Sequence, residues 1–135
     1  MVFRMRLIAA LMLVFICSLL FMANTGQDNL FFEFKRGIPF GDKVGHFMLF
    51  GSLAMFANFA FRFRHLAKTS VLQYGALLVL SLSTIEEFSQ IFISTRTFSF
   101  YDLAANFLGI SLFTILSIGL GKLIPRYNRR LLKSA

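Results

Sequence analysis

The residues most able to do chemistry in this chain fall into three short clusters. Asp42, Lys43 and His46 form the first, Glu86, Glu87 and Gln90 the second, and Arg96, Ser99, Asp102 and Asn106 the third. A histidine among carboxylates can move protons. His46 could serve as general base or acid, with Asp42 or Asp102 orienting its ring and Glu87 or Glu86 as the second acid-base group. Arg96 offers a planar fork suited to a phosphate or carboxylate. Asp42, Lys43, Gln90, Ser99 and Asn106 add polar contacts for a bound molecule. No nucleophilic Ser or Cys stands out, so hydrolysis and group transfer are equally open. A divalent metal is weakly signalled, because the second histidine, His65, belongs to a different connection; no metal and no cofactor is expected.

Residues three or four apart share a helix face. Asp42 with His46, Gln90 with Glu86 or Glu87, and Asp102 with Asn106 are such pairs on three helices, and inward faces would bring them into one polar pocket. Glu86 and Glu87 are neighbours, about 100° apart around a helix, so both should not face the same centre equally well.

The elements that must position these groups are read from hydropathy. Four apolar runs, Leu7 to Ala23, Val44 to Phe61, Val71 to Ile93 and Tyr101 to Leu120, are each long enough for a helix to cross about 30 Å of hydrocarbon. The expectation is an all-α polytopic membrane protein, a single domain built as a four-transmembrane-helix bundle. The alternating ten-residue segments of a membrane β-barrel are missing from the pattern. With 57% apolar residues and 19 Phe in 135 residues, polar surface is too scarce to coat a soluble globule. The 14 basic residues against six acidic ones lie between the apolar runs and form no patch with stacking aromatics, which argues against nucleic acid. Cys17 is the one cysteine, so it can form no internal disulfide.

Basic residues also orient the chain. Arg4, Arg6, Arg62, Arg64, Lys68, Lys122, Arg126, Arg129, Arg130 and Lys133 fall on one side, and Lys35, Arg36, Lys43 and Arg96 on the other. That bias predicts cytoplasmic termini and an outward-facing polar cluster. Arg4 and Arg6 before a short apolar run could mark a signal peptide, but Phe21 to Gly26 offers a poor cleavage site and an uncleaved helix is expected. The connection from Asn24 to Lys43, with Leu30 to Phe34 and Gly37 to Phe40, is apolar enough to lie in the membrane interface. The basic tail from Lys122 would anchor the last helix at the anionic inner leaflet.

The order and spacing of Asp42-Lys43-x-x-His46, Glu87-x-x-Gln90 and Arg96-x-x-Ser99-x-x-Asp102-x-x-Ala105-Asn106-x-x-Gly109 resemble the VanZ-like membrane proteins. The resemblance spans residues 42 to 109, and its last motif is the most specific. It implies a multi-pass protein of the bacterial cytoplasmic membrane. It also favours Glu87 as the inward carboxylate and associates the family with teicoplanin resistance, without supplying a mechanism. Where relatives often carry Pro or Gly before the arginine, this chain has Ser94-Thr95.

The same residues have architectural readings. Ser99 and Asp102 have the spacing of a helix-capping pair, Asn106 could bond across helices, and Ala105-x-x-x-Gly109 permits close packing. Arg96 could be glue for Glu86, Glu87 or Asp102. Three functions therefore stay open: an enzyme acting on an amphiphilic or lipid-linked envelope substrate, a binder of such a molecule or of a lipoglycopeptide, and a structural or assembly protein without catalysis. Ion movement is disfavoured, because the inner halves of the second and fourth helices are mainly Phe, Leu, Ile and Ala. The expected partners are the lipid bilayer and an amphiphilic ligand, with no nucleic acid.

Overall fold

The computed structural model describes residues 2–27, 33, 36–66 and 72–125. Among the described residues the fold is built on four long helices: α1 (Val2–Asn24), α2 (Gly41–Ala60), α3 (Tyr74–Ser89), extended by one 3-10 turn (Gln90–Phe92), and α4 (Phe100–Lys122). Most of the interfacial segment expected at residues 30–34, together with Lys35, Lys68 and the basic tail from Arg126, lies outside the described residues.

Helices α1, α2 and α4 begin before the apolar stretches that predict them. Helix α1 takes in Arg4 and Arg6, and α2 begins at Gly41, so Asp42 and Lys43 occupy its first turn. Hydropathy marks where a chain leaves hydrocarbon, whereas helical hydrogen bonding continues into the interface until a cap or turn stops it. Helix α3 starts at Tyr74, later than hydropathy suggests. The connection before it is pinned by the bonds Leu66 N–H to Leu72 O (2.9 Å) and Tyr74 N–H to Arg64 O (2.8 Å), and Gln73 is held extended at the helix start.

Three helical stretches, Phe3–Asn24, Tyr74–Phe92 and Phe100–Lys122, are long and apolar enough to cross a membrane. Helix α2 has the length, with 20 residues rising about 30 Å, but Asp42, Lys43, His46 and Asn58 lower its hydropathy. It is also the helix that touches all three others, with its largest interface against α4. Of those polar groups His46 and Asn58 are buried between helices, while Asp42 and Lys43 in its first turn are partly exposed. Much of the surface is apolar, and several polar side chains lie inside beside the hydrophobic core. Leu11, Phe15, Ile85, Phe107, Leu112 and Ile115 are exposed, while His46, Asn58, Gln73, Glu87, Asp102 and Asn106 are buried.

Small residues let α2 and α4 approach. A Cβ on Gly51 would sit 2.7 Å from the Phe113 ring, and one on Gly109 would collide with the backbone carbonyl of Phe47. This close crossing seats His46 beside Asn106. At the opposite end of the bundle, Asn58 donates to the hydroxyls of Thr114 (3.3 Å) and Ser117 (3.2 Å). Its carbonyl oxygen accepts the Ala76 N–H (2.9 Å), capping α3 from another helix. That end was expected to be mainly apolar, and this network is a polar feature that the sequence reading did not single out. Its signal was present in the spacing, since Asn58 lies three turns beyond His46 and Thr114 and Ser117 two to three turns beyond Asn106. Phe50, Leu53, Ala54, Val79 and Ile110 separate the two polar ends. Replacing Asn58 with leucine removes all three bonds and strands the first turn of α3. We expect a loss of about 2 kcal/mol, measured by SDS titration of the reconstituted protein.

Candidate functional site

The C-terminal ends of α1 and α3 and the N-terminal ends of α2 and α4 meet at one end of the bundle, and the three clusters read from the sequence converge there. The ends of α2 and α4 bring the positive poles of two helix dipoles with them, and each carries an aspartate in its first turn, Asp42 and Asp102.

Ser99 is the N-cap of α4, its hydroxyl accepting the Asp102 N–H at 3.4 Å. In a capping box the residue at Asp102's position would reach back to the Ser99 N–H. Here Glu87 of α3 does so, its Oε1 accepting that N–H at 2.9 Å. The box is completed from another helix, and Asp102 is released to face α2. Its Oδ1 pairs with the Lys43 ammonium at 2.8 Å and its Oδ2 lies 4.0 Å from Nε2 of His46. Lys43 also reaches Asp42 at 3.4 Å. The other ring nitrogen of His46, Nδ1, is 3.1 Å from the side-chain oxygen of Asn106, and Phe50 stacks on the ring.

Glu86 and Glu87 are unequally placed, yet their carboxylates share a partner. Both reach the Gln90 side-chain amide, which donates to Glu86 at 3.0 Å and to Glu87 at 3.1 Å. Three rotatable bonds let a glutamate carboxylate bend back toward a centre that its Cβ does not point at. Glu87 is wholly buried, and Glu86 is partly so, paired with Arg96 at 3.6 Å. One ligand atom each from His46, Glu86 and Glu87 lie within 4.8 Å of one another, as do those from Asp42, His46 and Asp102.

These groups border a cavity of about 790 Å³. Asp42, Lys43, His46, Gln90, Arg96 and Asp102 form its polar side, joined by Arg36, and Ile16, Leu19, Leu20 and Ala23 of α1 form an apolar wall opposite. The sequence reading missed this wall, because an apolar helix carries no sign of which stripe faces a cavity. Thr95, standing where Pro or Gly is common in the resembled family, donates its hydroxyl to the Asn24 carbonyl at 2.8 Å and ties the Arg96 loop to the end of α1. Ser99, Glu86, Glu87 and Asn106 support the cavity from behind and do not line it.

Comparison of the chain with protein-family models, curated proteins and solved structures returns no match.

Proposed function

We propose that the chain is a four-span, VanZ-like protein of the bacterial cytoplasmic membrane, and that its outward-facing cavity receives an amphiphilic cell-envelope molecule or lipoglycopeptide. One observation carries this reading: a cavity with cations and His46 on one side and the aliphatic wall of α1 on the other. A molecule with an anionic head and an acyl chain matches both sides at once. Arg96 and Lys43 would hold the head, with His46 and Asp102 beside it on the same wall.

In this reading α2 is the fourth span, with His46 and Asn58 buried between helices and Asp42 and Lys43 at its interfacial end. The count of basic residues supports cytoplasmic termini and a cavity open to the outer leaflet.

The test is susceptibility to teicoplanin and vancomycin in a sensitive Gram-positive host expressing wild type, His46→Ala, Arg96→Ala or Asp102→Asn, with membrane levels followed by blot. Protection by wild type is expected, with most of it lost in variants that still accumulate. No protection from a well-expressed wild type rejects the glycopeptide reading. Protection that simply follows protein level in every variant indicates an assembly role without a working cavity.

A further inference from the structure

The buried His46 centre has donors and spacing for a cation that the proton-transfer reading does not use. Oδ1 of Asn106 can only accept, so Nδ1–H of His46 donates to it and Nε2 is the ring nitrogen left to face Asp102. A bare Nε2 lone pair against a carboxylate oxygen is repulsive unless a proton or a metal cation lies between. The 4.0 Å from Nε2 to Oδ2 of Asp102 is too long for a hydrogen bond. Two ligands held at about 2.1 Å by one tetrahedral ion lie about 3.4 Å apart, so Asp102 would have to close by about half an ångström to share an ion with His46.

Charge points the same way. Lys43 serves Asp102 and Asp42, and Arg96 serves Glu86, but among the described residues no Lys or Arg nitrogen comes within 4.0 Å of the Glu87 carboxylate. Glu87 is wholly buried and its oxygens meet only the neutral Gln90 amide and the Ser99 N–H. A buried carboxylate without a cation is costly. A further buried atom, Oε2 of Glu86, has no hydrogen-bond partner.

We infer that this end of the bundle binds one divalent transition-metal ion through the free ring nitrogen of His46 and carboxylate oxygens of Glu86 and Glu87, whose ligand atoms lie within 4.8 Å of one another. An imidazole nitrogen among carboxylates suits Zn²⁺, Mn²⁺ or Fe²⁺, whereas Ca²⁺ and Mg²⁺ favour all-oxygen cages. His46 and Asp102 line the cavity while both glutamates lie behind them, so the open coordination positions face the cavity. There the ion would join Lys43 and Arg96 in holding an anionic head group. That last clause rests on the proposed function; metal binding itself does not.

The experiment uses the full chain in detergent micelles, stripped with EDTA and titrated with Mn²⁺ or Zn²⁺ alone. Near-stoichiometric, saturable binding is expected in wild type and in His65→Ala, with affinity reduced at least about tenfold in His46→Ala and Glu87→Gln. Pulsed EPR of the Mn²⁺-loaded wild type should show nuclear modulation from an imidazole nitrogen, a readout that stands even where a variant fails to fold. Wild type that binds neither ion saturably, bound Mn²⁺ without nitrogen modulation, or undiminished binding in a folded His46→Ala protein overturns the inference. None of these readouts involves an amphiphile, so the metal site and the proposed function fail separately.

Discussion

Replacing Gly109 with leucine should prevent the bundle from forming. The first carbon of any side chain there would meet the carbonyl, the Cα and the carbonyl carbon of Phe47, which are backbone atoms of α2 and cannot swing aside. The helices must separate, and the 3.1 Å contact between His46 and Asn106, one turn from Gly109 on α4, is lost with the packing. Overpacking a tight contact costs about 1–3 kcal/mol, so Gly109→Ala should fold with reduced resistance to SDS. Gly109→Leu should exceed that range and fail to accumulate in membranes. Gly119 is the matched control, on the same helix with nothing within 4 Å of an added Cβ. Gly119→Ala should change stability by no more than about 1 kcal/mol, in the stabilising direction, from helix propensity alone. Equal behaviour of the Gly109 and Gly119 alanine variants would mean that the α2–α4 crossing is wider than described.

The comparison of these glycines shows what kind of information the sequence carries. Hydropathy locates α1, α3 and α4, whose stretches are long and apolar enough to cross a membrane. It undervalues α2, which carries more polar residues, and starts it at Val44 although the helix already includes Asp42 and Lys43. Helical spacing places the polar clusters at one end, and the structure brings His46, Glu86, Glu87, Arg96, Asp102 and Asn106 together there. Spacing gives the direction of a Cβ and no more. It therefore does not reveal that the carboxylates of Glu86 and Glu87 meet at Gln90 after three further bonds. It is also blind to partnerships between helices. The capping spacing of Ser99 and Asp102 is a true local signal, yet the group that completes the cap belongs to α3. The aliphatic wall of the cavity leaves no mark, since Ile16, Leu19 and Leu20 differ in kind from none of their neighbours on α1. Asn58 left a mark that hydropathy averaging conceals among the apolar residues around it.

The role of Glu87 leads to the second large effect. Its side chain is at once the acceptor for the Ser99 N–H at the start of α4 and the partner of the Gln90 amide. Leucine at this position satisfies neither group, both of them buried or partly buried, and should cost about 3 kcal/mol at about 1–3 kcal/mol for each donor left unmade. Glutamine keeps an oxygen for Ser99 but turns an amide toward the Gln90 amide, donor against donor. Gln90 can reverse its own amide only by giving up its bond to Glu86, so Glu87→Gln should fold with a loss of about 1 kcal/mol. Hydrogen exchange at the Ser99 amide separates the two effects: protection should vanish in Glu87→Leu and persist in Glu87→Gln. The same amide decides what Asp102 is for. If Glu87 is the cap, Asp102→Asn leaves Ser99 protected while loosening Lys43 and His46, and the carboxylate of Asp102 belongs to the cavity. Loss of Ser99 protection in Asp102→Asn would return that aspartate to a local helix-starting role and leave His46 facing the glutamates without it.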